Sequence, residues 1–395
     1  MMAVATVTQI GTNRRWVMLA LGVFAQGTSA VVSSGTPFLL PALTERGMSL
    51  ATAGLLVAMP MVGMVFALIP WGYVVDRVGE HKVLVTGCAL MCVAAAAAAT
   101  VTNYVALGIL LLAAGLGAAS TNSASGRVIA GWFPPEQRGL AMGIRQSAQP
   151  LGVAIAALTV PTIAAAHGFS TAMLVPAIMG GLAAVGCLVG IVDPPRPALT
   201  TTERPANPYR GDSTLWRIHG VSVLLVIPQA TVWTFALLWL HRDAGLSLPV
   251  AGVLVTATQF LGAAARIGAG MWSDRVGSRL RPLRTVAVAA VVAMVALAVT
   301  AGLHWWWMAL PVLAAASAIT VADNGLAFTA VAEIAGPFWS GRGLGVQNTG
   351  QHLAMAAVAP LFGALITAAG FPAAFLAAAV TAAAAVPLVP RDRQH

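Results

Sequence analysis

Charged side chains are scarce in this chain: of its 395 residues, 8% are charged and 58% are hydrophobic, where a soluble domain carries roughly a quarter charged residues. Too few polar side chains remain to cover a water-soluble globule. A soluble protein is therefore excluded, and the lipid bilayer must be the solvent. Cysteine is scarce as well. Cys88, Cys92 and Cys187 are the only three, all within apolar runs, which excludes a disulfide framework. Cys88 and Cys92 share one predicted helix at a spacing too long to bridge, and no His cluster offers metal-ligand spacing. They read as small hydrophobes. No glycine-rich, phosphate-cradling loop carries a lysine, so there is no engine for ATP-driven pumping. No enzyme constellation stands out, and neither a cofactor nor a metal is expected. The formal charge of +9 does not signal nucleic acid, because the Arg residues are scattered singly between apolar runs rather than gathered with aromatics into a patch.

What the chain has is long apolar runs. A membrane-spanning helix needs about 20 apolar residues. Such runs fall near residues 16–41, 50–71, 83–100, 104–132, 140–166 and 170–192, and again near 218–240, 249–271, 285–301, 305–335, 344–369 and 373–389. The expectation is an all-α membrane protein with twelve transmembrane helices in two six-helix bundles, residues 1–192 and 218–395. A polar linker rich in Pro, Thr and Arg joins them at 193–217. The first apolar stretch is too long for a signal-peptide core, so no cleavage is expected. With the N-terminus inside, sixteen of the 21 basic residues fall on the inner side and two, Arg46 and Arg242, on the outer. The positive-inside rule then puts both termini and the linker in the cytoplasm of a cell-membrane protein.

The two halves repeat each other. Gly72-Tyr-Val-Val-Asp76-Arg77-Val-Gly79 returns as Gly270-Met-Trp-Ser-Asp274-Arg275-Val-Gly277 at an offset of 198, and Arg138-Gly139-Leu140 returns as Arg342-Gly343-Leu344 at an offset of 204. Two landmarks at nearly equal offsets argue for an internal duplication. With Lys82 following the first octet, the pattern resembles the signature of the major facilitator superfamily, in the connection after span two. That resemblance implies two parallel halves rocking around a central substrate path and a latch on the cytoplasmic side. Asp76 would cap span eleven near Gly343, and Asp274 would cap span five near Gly139, where free N–H groups and helix dipoles welcome a carboxylate. Arg77 would find an acid nearby. The cytoplasmic gate residues are thus Gly72, Asp76, Arg77, Gly79, Gly270, Asp274, Arg275, Gly277 and Glu333.

Five ionisable residues fall inside predicted spans: Arg127, Arg145, Arg266, Asp323 and Glu333. Charges there are costly unless paired or wet, so each is a functional candidate. At roughly 1.5 Å per residue, Glu333 lies about 5 Å from the cytoplasmic end of span ten, suited to pair with Arg275. Arg127 is placed to snorkel to the interface. Asp323 lies about 20 Å deep, followed by Asn324 and preceded by Thr320. By resemblance span ten lines the cavity, so Asp323 is the proton-coupling candidate; the alternative is a buried acid locked by an arginine. Direct pairing with Arg145 is marginal in height. Arg145 and Gln149 share a face of span five, and Gln259 and Arg266 share one of span eight. Two such arginines would hold an anion bidentately, unless Arg266 is spent on a backbone carbonyl or on Glu333. Gln26, Asn122, Gln229, Trp233, Asn324 and His352 complete the substrate-binding candidates, although such amides also glue helices together. Of the histidines, only His352 reads as well embedded. The expected function is proton-coupled transport of a small organic, anionic solute by a monomer. The alternative is proton-antiport efflux of lipophilic compounds, with Asp323 and Trp233 facing a cation.

Overall fold

The computed structural model describes residues 11–45, 47–195 and 206–391. Residues 196–205 of the expected linker and the basic residues Arg46, Arg196, Arg204 and Arg393 lie outside the described residues. Every regular element within them is helical, as a lipid environment demands of a backbone that must bond internally. The order is α1 (Thr12–Gly35), a short 3-10 turn (Thr36–Leu39), α2 (Leu40–Glu45), α3 (Leu50–Val78), α4 (Glu80–Ala98), α5 (Tyr104–Trp132), α6 (Pro135–Gln146), α7 (Ala148–Ala172) and α8 (Leu174–Gly190). The second half follows with α9 (Thr214–Arg242), α10 (Leu248–Val276), α11 (Leu280–Gly302), α12 (Trp306–Ala335) and α13 (Ser340–Ala385).

Among the described residues, ten helices are long and apolar enough to cross a membrane. Helix α13, at 46 residues, turns at Gly370 with φ 80°, a left-handed conformation that glycine adopts without strain. The turn divides it into two limbs. Helix α7 turns likewise at Gly168, with φ 83°, and leads into the 17-residue α8. Counted this way, the helices are consistent with twelve crossings. The starts are signalled locally: the Ser49 hydroxyl accepts from the Thr52 N–H, and Asn103 accepts from the N–H groups of Val105 and Ala106, as N-caps do.

One expected span is interrupted. Helix α6 ends at Gln146 and α7 begins at Ala148. Pro150 has no N–H with which to bond the carbonyl four residues back, so the Gln146 carbonyl is released from the helical ladder.

By contact the chain divides into two compact units, and each takes in one short segment from the other sequence half. The first comprises residues 1–134, 151–207 and 335–345; the second comprises 135–150, 208–334 and 346–395. The first unit is cored around Met18, Leu84, Met91, Ala118 and Val128, with a second cluster around Leu56, Leu111 and Phe169. The second is cored around Trp239, Met294, Leu297, Leu313 and Phe375.

Candidate functional site

In the first unit the repeated octet closes α3. Gly79 ends it with φ 103° and turns the chain straight into α4. The Asp76 carboxylate, 1% exposed, accepts from the backbone N–H groups of Gly341 (2.9 Å) and Arg342 (3.1 Å), capping the first turn of α13. It also accepts from Arg342 Nε (2.8 Å) and from Arg127 Nη1 (2.7 Å). Gly72 makes this approach possible, because a Cβ there would lie 2.4 Å from the Gly341 carbonyl oxygen. Two expectations are corrected here. Arg127 does not snorkel: it is 3% exposed and held between Asp76 and Glu80, whose Oε1 lies 2.5 Å from its Nε. Arg77 is exposed and lies over the Tyr73 ring at 4.1 Å, because the nearby acid, Glu80, is taken by Arg127. Sequence reasoning missed Glu80; its signal was an acidic residue opening a helix directly after a left-handed glycine.

The second octet builds a related but unequal latch within the second unit. Asp274 accepts from the N–H groups of Gly139 (2.9 Å) and Leu140 (2.8 Å). Because α6 begins at Pro135, these donors lie one turn inside the helix rather than at its start, a departure from the expected cap. Arg279 supplies the remaining contacts: its guanidinium donates to Asp274 (2.5 Å), to the Ser273 hydroxyl (2.7 Å) and to the Pro135 carbonyl (2.5 Å). Gly270 and Gly139 pack backbone to backbone, and a Cβ on Gly270 would meet the Gly139 carbonyl oxygen at 2.1 Å. Gly277, with φ 63°, terminates α10. Glu333 pairs with Arg279 (3.2 Å) and Arg138 (3.5 Å) instead of with Arg275, which is exposed at the helix end. Burial works against the charge on Arg279, but Glu333 and Asp274 outweigh it and hold the guanidinium above its ordinary range. This cluster lines a cavity of about 740 Å³ that also takes in Asp212 and Arg391.

Deeper in the second unit stand the embedded charges. Asp323 on α12 is 1% exposed, and neither carboxylate oxygen has a hydrogen-bond partner among the described residues. Arg266 on α10 is the cation that acts on it electrostatically. Arg266 itself is 3% exposed. Its Nη1 donates to the Gln146 carbonyl at 2.6 Å, the acceptor that Pro150 released, and its guanidinium lies 5.6 Å from the Trp233 ring centroid. Its Nε has no partner among the described residues. Gly143 lets α6 and α10 come this close, since a Cβ there would lie 2.5 Å from the Arg266 carbonyl oxygen. Arg145 donates to Gln146 Oε1 (2.7 Å) and faces Phe328 at 5.8 Å. Arg266, Trp233, Gln259, Pro150, Ser317 and Val321 line a narrow crevice. Gln149, beside Pro150, is half-buried.

The candidate amides form clasps. Gln26 donates to Asn122 at 2.9 Å in the first unit, and Asn324 donates to Gln229 at 2.9 Å in the second. The second clasp is extended by Gln351, which donates to Asn324 (2.9 Å) and to the Ser222 hydroxyl (2.8 Å). These amides therefore hold helices together. His352 is half-buried, whereas His219, expected near a span end, is 6% exposed and hydrogen-bonded.

An all-helical chain with duplicated latches and a buried acid facing a buried arginine belongs to the class of polytopic membrane transporters. The chain is a member of the Major Facilitator Superfamily, whose family model matches residues 19–359. It is 48% identical over 383 residues to an uncharacterized MFS-type transporter of Mycobacterium tuberculosis, covering 96% of this chain and 86% of that one. It is also 27% identical over 164 residues to the hexuronate transporter of Bacillus subtilis, covering 42% of this chain and 38% of that protein. Among solved structures it resembles the fucose:proton symporter of E. coli, with a TM-score of 0.73, 17% identity and coverage of 94% of this chain and 97% of that one, which establishes the shared fold.

Proposed function

We propose that this transporter moves a small organic anion by alternating access, coupled to protons through Asp323. The carrying observation is the Asp323–Arg266 arrangement: a buried carboxylate with no side-chain hydrogen-bond partner among the described residues, under the field of an arginine that gives Nη1 to the Gln146 carbonyl and leaves Nε without a partner among them. An isolated buried carboxylate is costly, and a proton relieves it. Arg127 is neutralised by Asp76 and Glu80, and Glu333 by Arg138 and Arg279. The embedded charges left are Arg145, Arg266 and Asp323, a net of +1 that becomes +2 when Asp323 takes a proton. Protonation therefore strengthens the attraction for an anion, and the two enter together. The match to a transporter named for hexuronate, a sugar acid, agrees with an anionic solute.

The octet latches serve as the gate of this cycle on the cytoplasmic side, with both termini cytoplasmic and the chain working as a monomer. The efflux alternative needs the Trp233 ring as a wall for a cationic solute. Arg266 lies over that ring, which favours the anion.

The test is uptake of a carboxylate panel, hexuronates included, into proteoliposomes under an inward proton gradient. Arg266→Ala should abolish it while Arg266→Lys retains a part, because lysine keeps the charge but not the fork. Uptake unchanged in Arg266→Ala overturns the proposal.

A further inference from the structure

Helix α9 carries a buried titratable group that the chemistry above leaves unused. Both ring nitrogens of His219 are engaged: Nε2 with the Tyr209 hydroxyl at 3.0 Å and Nδ1 with Gln347 Oε1. An amide oxygen only accepts, so Nδ1 carries a proton, and in the neutral ring Nε2 accepts from the Tyr209 O–H. When the ring is protonated, Nε2–H donates to the Tyr209 oxygen instead. The hydroxyl rotates and no heavy atom moves. A site that can hydrogen-bond both protonation states of an imidazole is suited to exchanging a proton.

The surroundings give this exchange a direction. Tyr209, where the linker returns to the bundle, stacks on His219 at 5.8 Å and leans on Trp216 at 5.0 Å. On the other side a polar seam runs along otherwise apolar helices. Ser222 and Gln229 follow His219 on α9, and Gln347 and Gln351 stand one turn apart on α13. Gln351 joins Ser222 to Asn324, the neighbour of Asp323. From His219 to Gln229 the seam rises about 15 Å at roughly 1.5 Å per residue. Gln347 is 1% exposed, and its Nε2 has no partner among the described residues, so the seam holds a buried donor beside the ring. Tyr209 is the titratable group facing the ring from the linker and Gln347 the polar one from α13. Arg217, on α9 itself, is turned to the carbonyls of Pro387, Leu388 and Val389. Both hydrogen-bond partners of the ring, the Tyr209 hydroxyl and the Gln347 amide, are uncharged.

We infer that His219 is the proton station between the aqueous side at Tyr209 and the Asp323 site. Uptake forms the Nε2–H bond from water, with Tyr209 turning from donor to acceptor. Release breaks the Nδ1–H bond as the proton passes to a water in the seam, since the amides orient the path but cannot carry a proton, and the Gln347 amide turns over so that its Nε2 donates to the ring. The proton ends on the Asp323 carboxylate, and the reverse sequence returns it. This rests on the proton-coupled reading of Asp323.

The deciding measurement needs no solute. In full-length protein in lipid bilayers with histidine-selective 15N labelling, the His219 signals are assigned by their loss in His219→Gln. They should show the Nδ1–H tautomer at high pH and titrate reversibly between about pH 9 and about pH 4, with a titration altered in Tyr209→Phe. A ring that stays neutral over this range overturns the inference. In proteoliposomes with hexuronate as the probe, His219→Gln should cut proton-driven uptake by about a hundredfold and flatten its pH profile, while exchange without a gradient is retained. A wild-type pH profile in His219→Gln also overturns it. Wild-type uptake indifferent to the proton gradient would sink the reading of Asp323, and the 15N titration would still judge His219.

Discussion

Replacing Asp76 with asparagine tests how much of the α3–α13 clasp rests on a single charge. The substitution keeps the shape but removes the charge and one acceptor, leaving two backbone N–H groups and two guanidinium groups facing an amide. The Arg342 side chain is 25% exposed, so its ion pair is screened and contributes about 0–1 kcal/mol. The Arg127 end differs, with both side chains at 2% exposure or less, and breaking a buried pair there costs about 3–5 kcal/mol. Glu80 still faces Arg127, so the lower end applies. Adding the weakened bonds from Gly341 and Arg342, at about 1–3 kcal/mol together, the clasp should lose about 4–7 kcal/mol. At 1.4 kcal/mol per decade that is at least a hundredfold rise in the open population. A cysteine placed by Ser340→Cys reports it, since Ser340 is 2% exposed at the start of α13. Its alkylation by a water-soluble maleimide should accelerate by at least about two orders of magnitude in the Asp76→Asn background. A rate within about twofold of the Asp76 parent would refute the claim that this carboxylate holds the helix start.

Two further outcomes follow. Asp323→Asn should abolish accumulation driven by a proton gradient yet leave solute exchange intact, because an amide cannot carry the proton; accumulation at the wild-type level refutes its role. Gly270→Ala should destabilise the protein by about 1–3 kcal/mol through overpacking, since its Cβ would meet the Gly139 carbonyl oxygen at 2.1 Å. Gly268→Ala, with open space around it, is the control, and equal melting temperatures for the two variants in detergent would contradict the close approach.

Much of this architecture was legible in the sequence because the bilayer imposes it. Apolar runs of fixed length must become helices, and the octet shows where the duplicated latches stand. Partner choice was less legible, because it depends on which distant segments approach. Glu80 looked like an ordinary residue opening a helix, yet it is fully buried because Gly79 folds α4 back toward α5. Glu333 chose Arg279 over Arg275 because the α10–α11 turn carries Arg279 back over Asp274. His219 sat near an expected span boundary, and it is covered by the returning linker with Tyr209 and by Gln347 of α13. The Gln146 carbonyl was within reach of sequence reasoning, since a proline four residues on always removes its donor, but that Arg266 would fill the gap was not.

The paired Gln–Asn clasps bear on how such a carrier diverges. Gln26–Asn122 and Gln229–Asn324 stand at matching places in the two copies, but the residue before the asparagine is Thr121 in one and Asp323 in the other. If both descend from one ancestral hairpin set, the first copy has remained a rivet while the second became ionisable. The labour is then divided, one copy free to drift as a passive lever so long as its rivet holds, the other bound to its chemistry. A homologue that has changed cargo should record the change in the second copy and leave the first rivet alone.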